Sequence, residues 1–346
     1  MKALTLQKKR TITLIVLLVL LPTLFVASIF IGPSKISFVE GLQGLFGIGD
    51  KTNVLIVQQV RLPRIIAAVV VGVSLSISGV IMQTMSNNVM ASPSTLGISN
   101  AAVLGANIAI IILGGGIITV NGGNVVFDNP YVVSLFAFVF AFLALILVLG
   151  LSRIKKFNNA TTVLIGVTFG TFCTGLTTLV QFFASDTTLS TAVYWSFGDL
   201  ERASYLDNII MAVVAVVALV FFLIFSYKYN AMLLGEDSAS TLGINLNVFR
   251  FVSFLLASLL TAVCVSLVGI IGFIGLIVPQ VIRKLMGNDH KFLLIGSSLM
   301  GINVLLFSDI IARMMIQGVS LPVGAITSIL GAPIFIALLL IGRKHK

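Results

Sequence analysis

The sequence predicts an all-α integral membrane protein of about ten spanning helices, with both termini on the inner side. Three observations carry this. Only 9% of the residues are charged and 58% are hydrophobic, whereas a soluble protein carries about 25% charged residues. The apolar runs are long and unbroken, unlike barrel strands, which alternate polar and apolar residues over about ten positions. The basic residues sort by side once those runs are taken as spans.

Apolar segments fall at 11–31, 65–84, 95–114, 131–152, 160–183, 207–227, 250–271, 273–286, 293–315 and 323–342. The first, TITLIVLLVLLPTLFVASIFI, follows MKALTLQKKR. It is long for the apolar core of a leader peptide, so it reads as a span anchored inside by Lys8, Lys9 and Arg10. The second follows RLPR (61–64). The segments at 95–114 and 273–286 are short or bounded by Gly and Pro, so their ends are the least defined. An apolar piece at 189–197 is too brief to cross and is expected at the outer surface.

With the N-terminus inside, the inner segments hold fifteen of the 21 basic residues and the outer segments six. Arg61, Arg64 and Arg313 are among the six. Seven of the eleven acidic residues fall outside. The net charge of +10 therefore reads as basic anchoring of inner loops rather than nucleic-acid binding. No separate soluble domain is evident: residues 1–346 read as one transmembrane domain, with polar pieces at 32–60, 184–206 and 228–249.

The sequence also excludes chemistries. It has no Gly-Lys dipeptide, so it cannot form the G-x-x-x-x-G-K-[ST] phosphate loop. His290 and His345 have no partner at metal-ligand spacing. Cys173 and Cys264 lie inside apolar runs and read as small core residues. No G-x-S-x-G or H-E-x-x-H pattern is present, which leaves a membrane hydrolase without support. One carboxylate, Asp309, lies within a span, with Arg313 four residues on and on the same helix face. An intramembrane acid suits a proton-coupled secondary carrier; it equally suits a structural ion pair.

From Arg61 onward the chain resembles the permease subunits of ABC importers for iron chelates, haem and vitamin B12. The matching stretches are RLPR (61–64), SISGVIMQ (76–83), NNVMASPSTLGISNAA (87–102), LLGEDSASTLGI (233–244), GIIGFIGLIVPQVIR (269–283), FSDIIAR (307–313) and LPVGAITSILGAPIFIALLL (321–340). The resemblance implies a ten-helix, type II importer permease in the bacterial inner (cytoplasmic) membrane. It implies a second permease chain, the same or homologous, two cytoplasmic ATP-binding subunits and an extracytoplasmic substrate-binding protein. This chain would bind no cofactor or metal and catalyse no reaction; ATP and magnesium would sit in the partner subunits. Ferric siderophore is the leading cargo, with haem and cobalamin as alternatives.

The resemblance also assigns roles. Arg61, Arg64 and Arg313 would face outward and receive glutamates of the binding protein; ordinary interfacial anchoring is the competing reading. Leu234, Gly235, Glu236, Asp237, Ser238, Ala239, Leu242 and Gly243, within a segment at about 233–250, would seat in a groove of the ATPase. Asn88, Met90, Asn158 and Asn159 would form a cytoplasmic gate. The chain departs from relatives at Val89-Met90, where Pro-Leu is usual, at Gln280, where His is usual, and at Ser320, where Glu is usual.

Overall fold

The computed structural model describes residues 2–34, 36–115, 118–121, 124–127, 130–154, 159–316 and 319–343. Helix α1 (Lys2–Phe30) is followed by two short outer helices, α2 (Phe38–Leu45) and α3 (Lys51–Leu55). Ser37 opens α2 through a capping box with Glu40, satisfying two otherwise orphaned backbone donors. A π-helical stretch, Ile56–Arg61, then leads into α4 (Leu62–Met85).

Pro63 accounts for that wide turn. Proline has no N–H to donate and its ring crowds the preceding turn. In the wide register its missing donor would have served the Gln58 carbonyl, and the Tyr205 hydroxyl donates to that carbonyl instead.

A 3₁₀ turn at Pro93–Leu96 precedes α5 (Ile98–Asn107), which widens into a second π stretch at Ile108–Ile112. Strands β1 (Ile118–Asn121) and β2 (Asn124–Phe127) form an antiparallel hairpin with Ile118 opposite Phe127. The ten-span reading overlooked this hairpin, although Asn-Gly-Gly-Asn between two β-branched runs is a hairpin signal. The remaining helices are α6 (Pro130–Ile154), α7 (Asn159–Phe182), α8 (Asp186–Ser196), α9 (Tyr205–Ile224), α10 (Ser226–Met232), α11 (Glu236–Thr241), α12 (Leu246–Val268), α13 (Ile274–Met286), α14 (His290–Met314) and α15 (Val323–Arg343).

Among the described residues seven helices are long and apolar enough to cross a membrane, and two shorter apolar ones cover Ile98–Ile112 and Val323–Leu338. With α13 these account for the ten apolar segments. The 189–197 piece is the short helix α8, as its length required.

The chain forms two compact units, each discontinuous in sequence. The first comprises Met1–Val80, Asp199–Gly243 and Ile271–Lys346; the second comprises Ile81–Gly198 and Ile244–Ile270. In the second, α5 packs on α6 and α7 around buried Ala101, Leu104, Ala144 and Cys173. Cys173 and Cys264 are both buried, and neither is in a disulfide.

In the first unit, contacts sort the helix ends as the charge count did. Arg10 donates to the Met286 carbonyl at 2.7 Å and lies 3.9 Å from Asp289, so predicted inner residues meet. Arg61 and Arg313 both reach the end of α1, so predicted outer residues meet at the other.

Between these ends α4 crosses two helices at glycines. A Cβ on Gly79 would fall 1.8 Å from the Gly275 carbonyl oxygen, and one on Gly72 would fall 2.7 Å from that of Gly301. Small residues let helix backbones approach this closely where lipid supplies no hydrophobic drive between helices. Gly79→Val should therefore abolish a monodisperse, folded species in detergent, because backbone rather than a flexible side chain blocks the added carbon. Gly150→Ala, within α6 at a position with nothing within 4 Å, should leave the size-exclusion profile unchanged and the melting temperature no lower.

Candidate functional site

At the predicted outer end of the first unit, Arg64 and Arg313 meet three carboxylates, Asp309, Glu201 and Asp199. Arg64, two residues into α4, donates from Nε to Asp309 Oδ1 at 2.6 Å and from Nη1 to Glu201 Oε2 at 2.8 Å. Its Nη2 lies 4.0 Å from Asp199 Oδ1 and has no hydrogen-bond partner among the described residues. Asp309 is fully buried, and its second oxygen, Oδ2, lies 2.7 Å from Arg313 Nη2. That approach is a close ion contact whose angle falls short of a hydrogen bond. A buried carboxylate thus sits between two guanidiniums, the arrangement that an ionised acid requires in a medium of low dielectric.

The other faces of Arg313 and Arg61 serve the end of α1. Arg313 Nη1 donates to the carbonyls of Ser28 at 2.9 Å and Ile31 at 2.8 Å. Arg61 donates to the carbonyls of Ile29 and, at 2.5 Å, of Ser34. The last carbonyls of a helix have no intrahelical donor, and a cation there also complements the negative end of the helix dipole. Arg61 and Arg313 act as side-chain caps on α1.

The same end is tied to α9. Asn208 donates to the Pro63 carbonyl at 2.8 Å, beside the Tyr205 contact. Ser204 and Asp207 close the start of α9 with a capping box.

The expectation that the three arginines stand outward in water is corrected here. Arg61, Arg64 and Arg313 are 3%, 3% and 4% exposed. A guanidinium held by carboxylates and helix carbonyls gains more from them than from snorkelling to the surface. What the cluster does present outward is Glu201, whose side chain is 48% exposed. The sequence reading did not single out Glu201 and Asp199. The signal was their place in GDLERAS, an acidic outer segment just before a span.

The predicted coupling residues occupy α11 and the turns on either side of it. Leu234 and Leu242 are strongly exposed, while Ala239 is fully buried. Gly235 and Gly243 take φ of +112° and +75° with no atom near a prospective Cβ, so they turn the backbone without filling a contact. Glu236, Asp237 and Ser238 lie in α11. Just before it, Asn230 ties α10 to the start of α14: its Oδ1 accepts from the His290 backbone N–H at 2.9 Å and contacts the His290 ring Nδ1 at 2.8 Å.

Of the gate residues, Met90 is exposed and its N–H donates to Asn88 Oδ1 at 2.9 Å. Asn159 begins α7, and Asn158 lies outside the described residues. Within the second unit a groove of about 270 Å³ runs between the Pro93–Leu96 turn, the start of α5, and α7. Gly97, at φ +74°, brings that turn within 2.8 Å of the Gly166 carbonyl by the measure of a prospective Cβ. Ser94, Thr95, Asn100, Thr171 and Thr174 line the groove with uncharged polar groups. Asn100 is held by the Gly170 carbonyl at 3.1 Å and Thr174 Oγ1 at 3.0 Å.

Comparison with known proteins fits this architecture. Residues 17–341 match the FecCD transport family. The chain belongs to that family. It is 41% identical to a provisionally named ABC transporter permease of Methanocaldococcus jannaschii, MJ0087, over 96% of this chain and 95% of that protein. It is 32% identical to the vitamin B12 import permease BtuC of Vibrio vulnificus, over 98% of this chain and 96% of the other. A solved structure of a transporter assigned provisionally to the metal-chelate ABC type, inward-facing, superposes with TM-score 0.81 at 27% identity. It covers 94% of this chain and 98% of that one. The PsaBC complex of Streptococcus pneumoniae, at 20% identity and TM-score 0.55 over 80% of this chain and 89% of the other, shares the fold. This family member is a multi-pass membrane protein and an ABC importer permease.

Removing Asp309 should unbalance the whole cluster. Asp309→Ala leaves Arg64 and Arg313 facing each other across a buried gap. Losing one partner of a buried ion pair costs about 3–5 kcal/mol, and the melting temperature of the purified protein should fall sharply. Asp289→Asn, which keeps an oxygen to accept the Lys291 N–H at the start of α14 and removes only the charge at the more exposed inner contact with Arg10, should cost no more than about 1 kcal/mol.

Proposed function

We propose that this permease carries a metal chelate across the cytoplasmic membrane, with ferric siderophores as the leading cargo class. The observation that carries the reading is the family match over residues 17–341, together with the metal-chelate type of the superposing transporter. A second reading, cobalamin, is favoured by the BtuC relatives of Vibrio vulnificus and Yersinia enterocolitica, the latter 34% identical over 84% of this chain. The uncharged groove along α7 suits either. A path should not hold its cargo tightly when selection is made elsewhere, and neutral hydroxyls bind weakly.

In this proposal the chain pairs with a second permease and carries no cofactor of its own. Two ATP-binding subunits dock at 233–250, and an extracytoplasmic binding protein docks at the arginine cluster. The coupling segment has the required form: exposed Leu234 and Leu242 for an apolar groove and two glycine turns that let α11 present itself. Motion imposed there reaches α14 through Asn230 and His290, and α14 carries Asp309 and Arg313 at its far end. Docking at the mouth centres on Arg64, because Arg61 and Arg313 are committed to α1. Met90 and Asn88, with Asn158 and Asn159, serve as the inner gate in this scheme.

Two measurements test it. Cells lacking this permease should lose uptake of one radiolabelled ferric siderophore while haem iron and labelled cobalamin enter normally. Loss of cobalamin uptake alone would establish the second reading, and normal entry of all three would refute both. Replacing residues 235–243 with a Gly-Ser linker of equal length should abolish co-purification of the ATP-binding subunit while the permease remains folded. Persistence of the complex would remove the coupling role from this segment.

A further inference from the structure

The geometry points to Glu201 as a resident carboxylate that occupies Arg64 until a carboxylate of the binding protein displaces it. This rests on the docking role proposed above and specifies how the site is kept in the undocked permease. The two sides of the Arg64 guanidinium are held very differently. Nε is fixed on Asp309, which is fully buried and itself pinned by Arg313. Nη1 is held by Glu201, and Nη2 has no hydrogen-bond partner among the described residues although Arg64 is only 3% exposed. A single oxygen of Glu201 thus blocks an edge that could take two. An arriving carboxylate could engage Nη1 and Nη2 together, the paired geometry that the planar guanidinium favours over a single contact.

Glu201 is also built to leave. It lies in a single 3₁₀ turn, Leu200–Arg202, whose backbone is held independently of the Arg64 contact. Leu200 is fully buried and Asp199 Oδ1 accepts the Glu201 N–H at 3.0 Å. The side chain can therefore swing by rotation while the turn stays in place. The Glu201 side chain is half-exposed and keeps part of its hydration, so exchange of its single contact for a two-point contact is favourable. Asp199 stays behind, 4.0 Å from Nη2, and limits the positive charge exposed during the exchange.

The test measures association and dissociation of the binding protein encoded with this permease, on the intact transporter in nanodiscs. Glu201→Gln should tighten docking about two- to fivefold, the equivalent of about 0.4–1 kcal/mol. Asp50→Asn, another outer carboxylate remote from Arg64 in the described contacts, controls for general removal of negative charge and should change affinity by less than half as much. Arg64→Lys keeps a cation for Asp309 and removes the paired donors; it should weaken docking while the melting temperature holds. If Arg64→Lys weakens docking and Glu201→Gln does not tighten it beyond the Asp50→Asn control, the displacement is overturned and the docking role stands. If Arg64→Lys leaves docking unchanged, the docking role itself falls.

Discussion

The outer half of the first unit depends on one buried charge. Asp309 has no access to water, and its two oxygens are met by guanidiniums from two different helices. Once that carboxylate is present, Arg64 must enter on α4 and Arg313 must sit one turn along α14. Each guanidinium then has further donors to satisfy, and these reach Glu201 on one side and the end of α1 on the other. A single acid thereby fixes the relation of α1, α4 and α14 and of the short segment before α9. Such networks are weak evidence for added stability, since desolvation offsets much of the attraction. Their effect is to make wrong arrangements costly, because any shift leaves a buried charge without a partner.

The same device recurs at the inner end with the opposite chemistry around it. Arg10 caps the last carbonyl of α13, as Arg61 and Arg313 cap α1. Asn230 then joins the start of α14 to the helix that precedes the coupling segment. Helix α14 runs between these two tied ends. Midway, the glycine crossings of α4 with α13 and α14 leave little room for sliding, so a displacement at one end of α14 is more readily passed along it than absorbed. Exposed side chains stand at both sites where partners are proposed, Glu201 at one and Leu234 with Leu242 at the other.

The spans were legible because a bilayer demands long apolar runs and a sorted positive charge, and both are properties of single segments. Asp309 with Arg313 was legible for the same reason: four residues apart on one helix is a local fact. The contact of Arg64 with Asp309 joins residues 245 apart, and nothing local to either announces it. Arginines at a span's mouth look like surface anchors in sequence, and their burial depends on which carbonyls the fold brings to them. Glu201 was obscure for a related reason, since an acidic outer loop residue ordinarily meets only water. The hairpin at 118–127 was missed because its two four-residue strands fall in the connection between the apolar segments at 95–114 and 131–152, too short to register beside spans.

If, as proposed, Asp309 is a structural counter-ion and ATP hydrolysis in partner subunits drives transport, the decisive measurement concerns what drives cargo. The chain would be reconstituted with its ATP-binding and substrate-binding partners in proteoliposomes. Uptake of labelled cargo would be followed with and without internal ATP, and with ionophores that collapse the proton and sodium gradients. Uptake should require ATP and be unchanged by the ionophores. Uptake that proceeds without ATP and stops when the gradients are collapsed would contradict this and return Asp309 to the role of an ion-coupling acid.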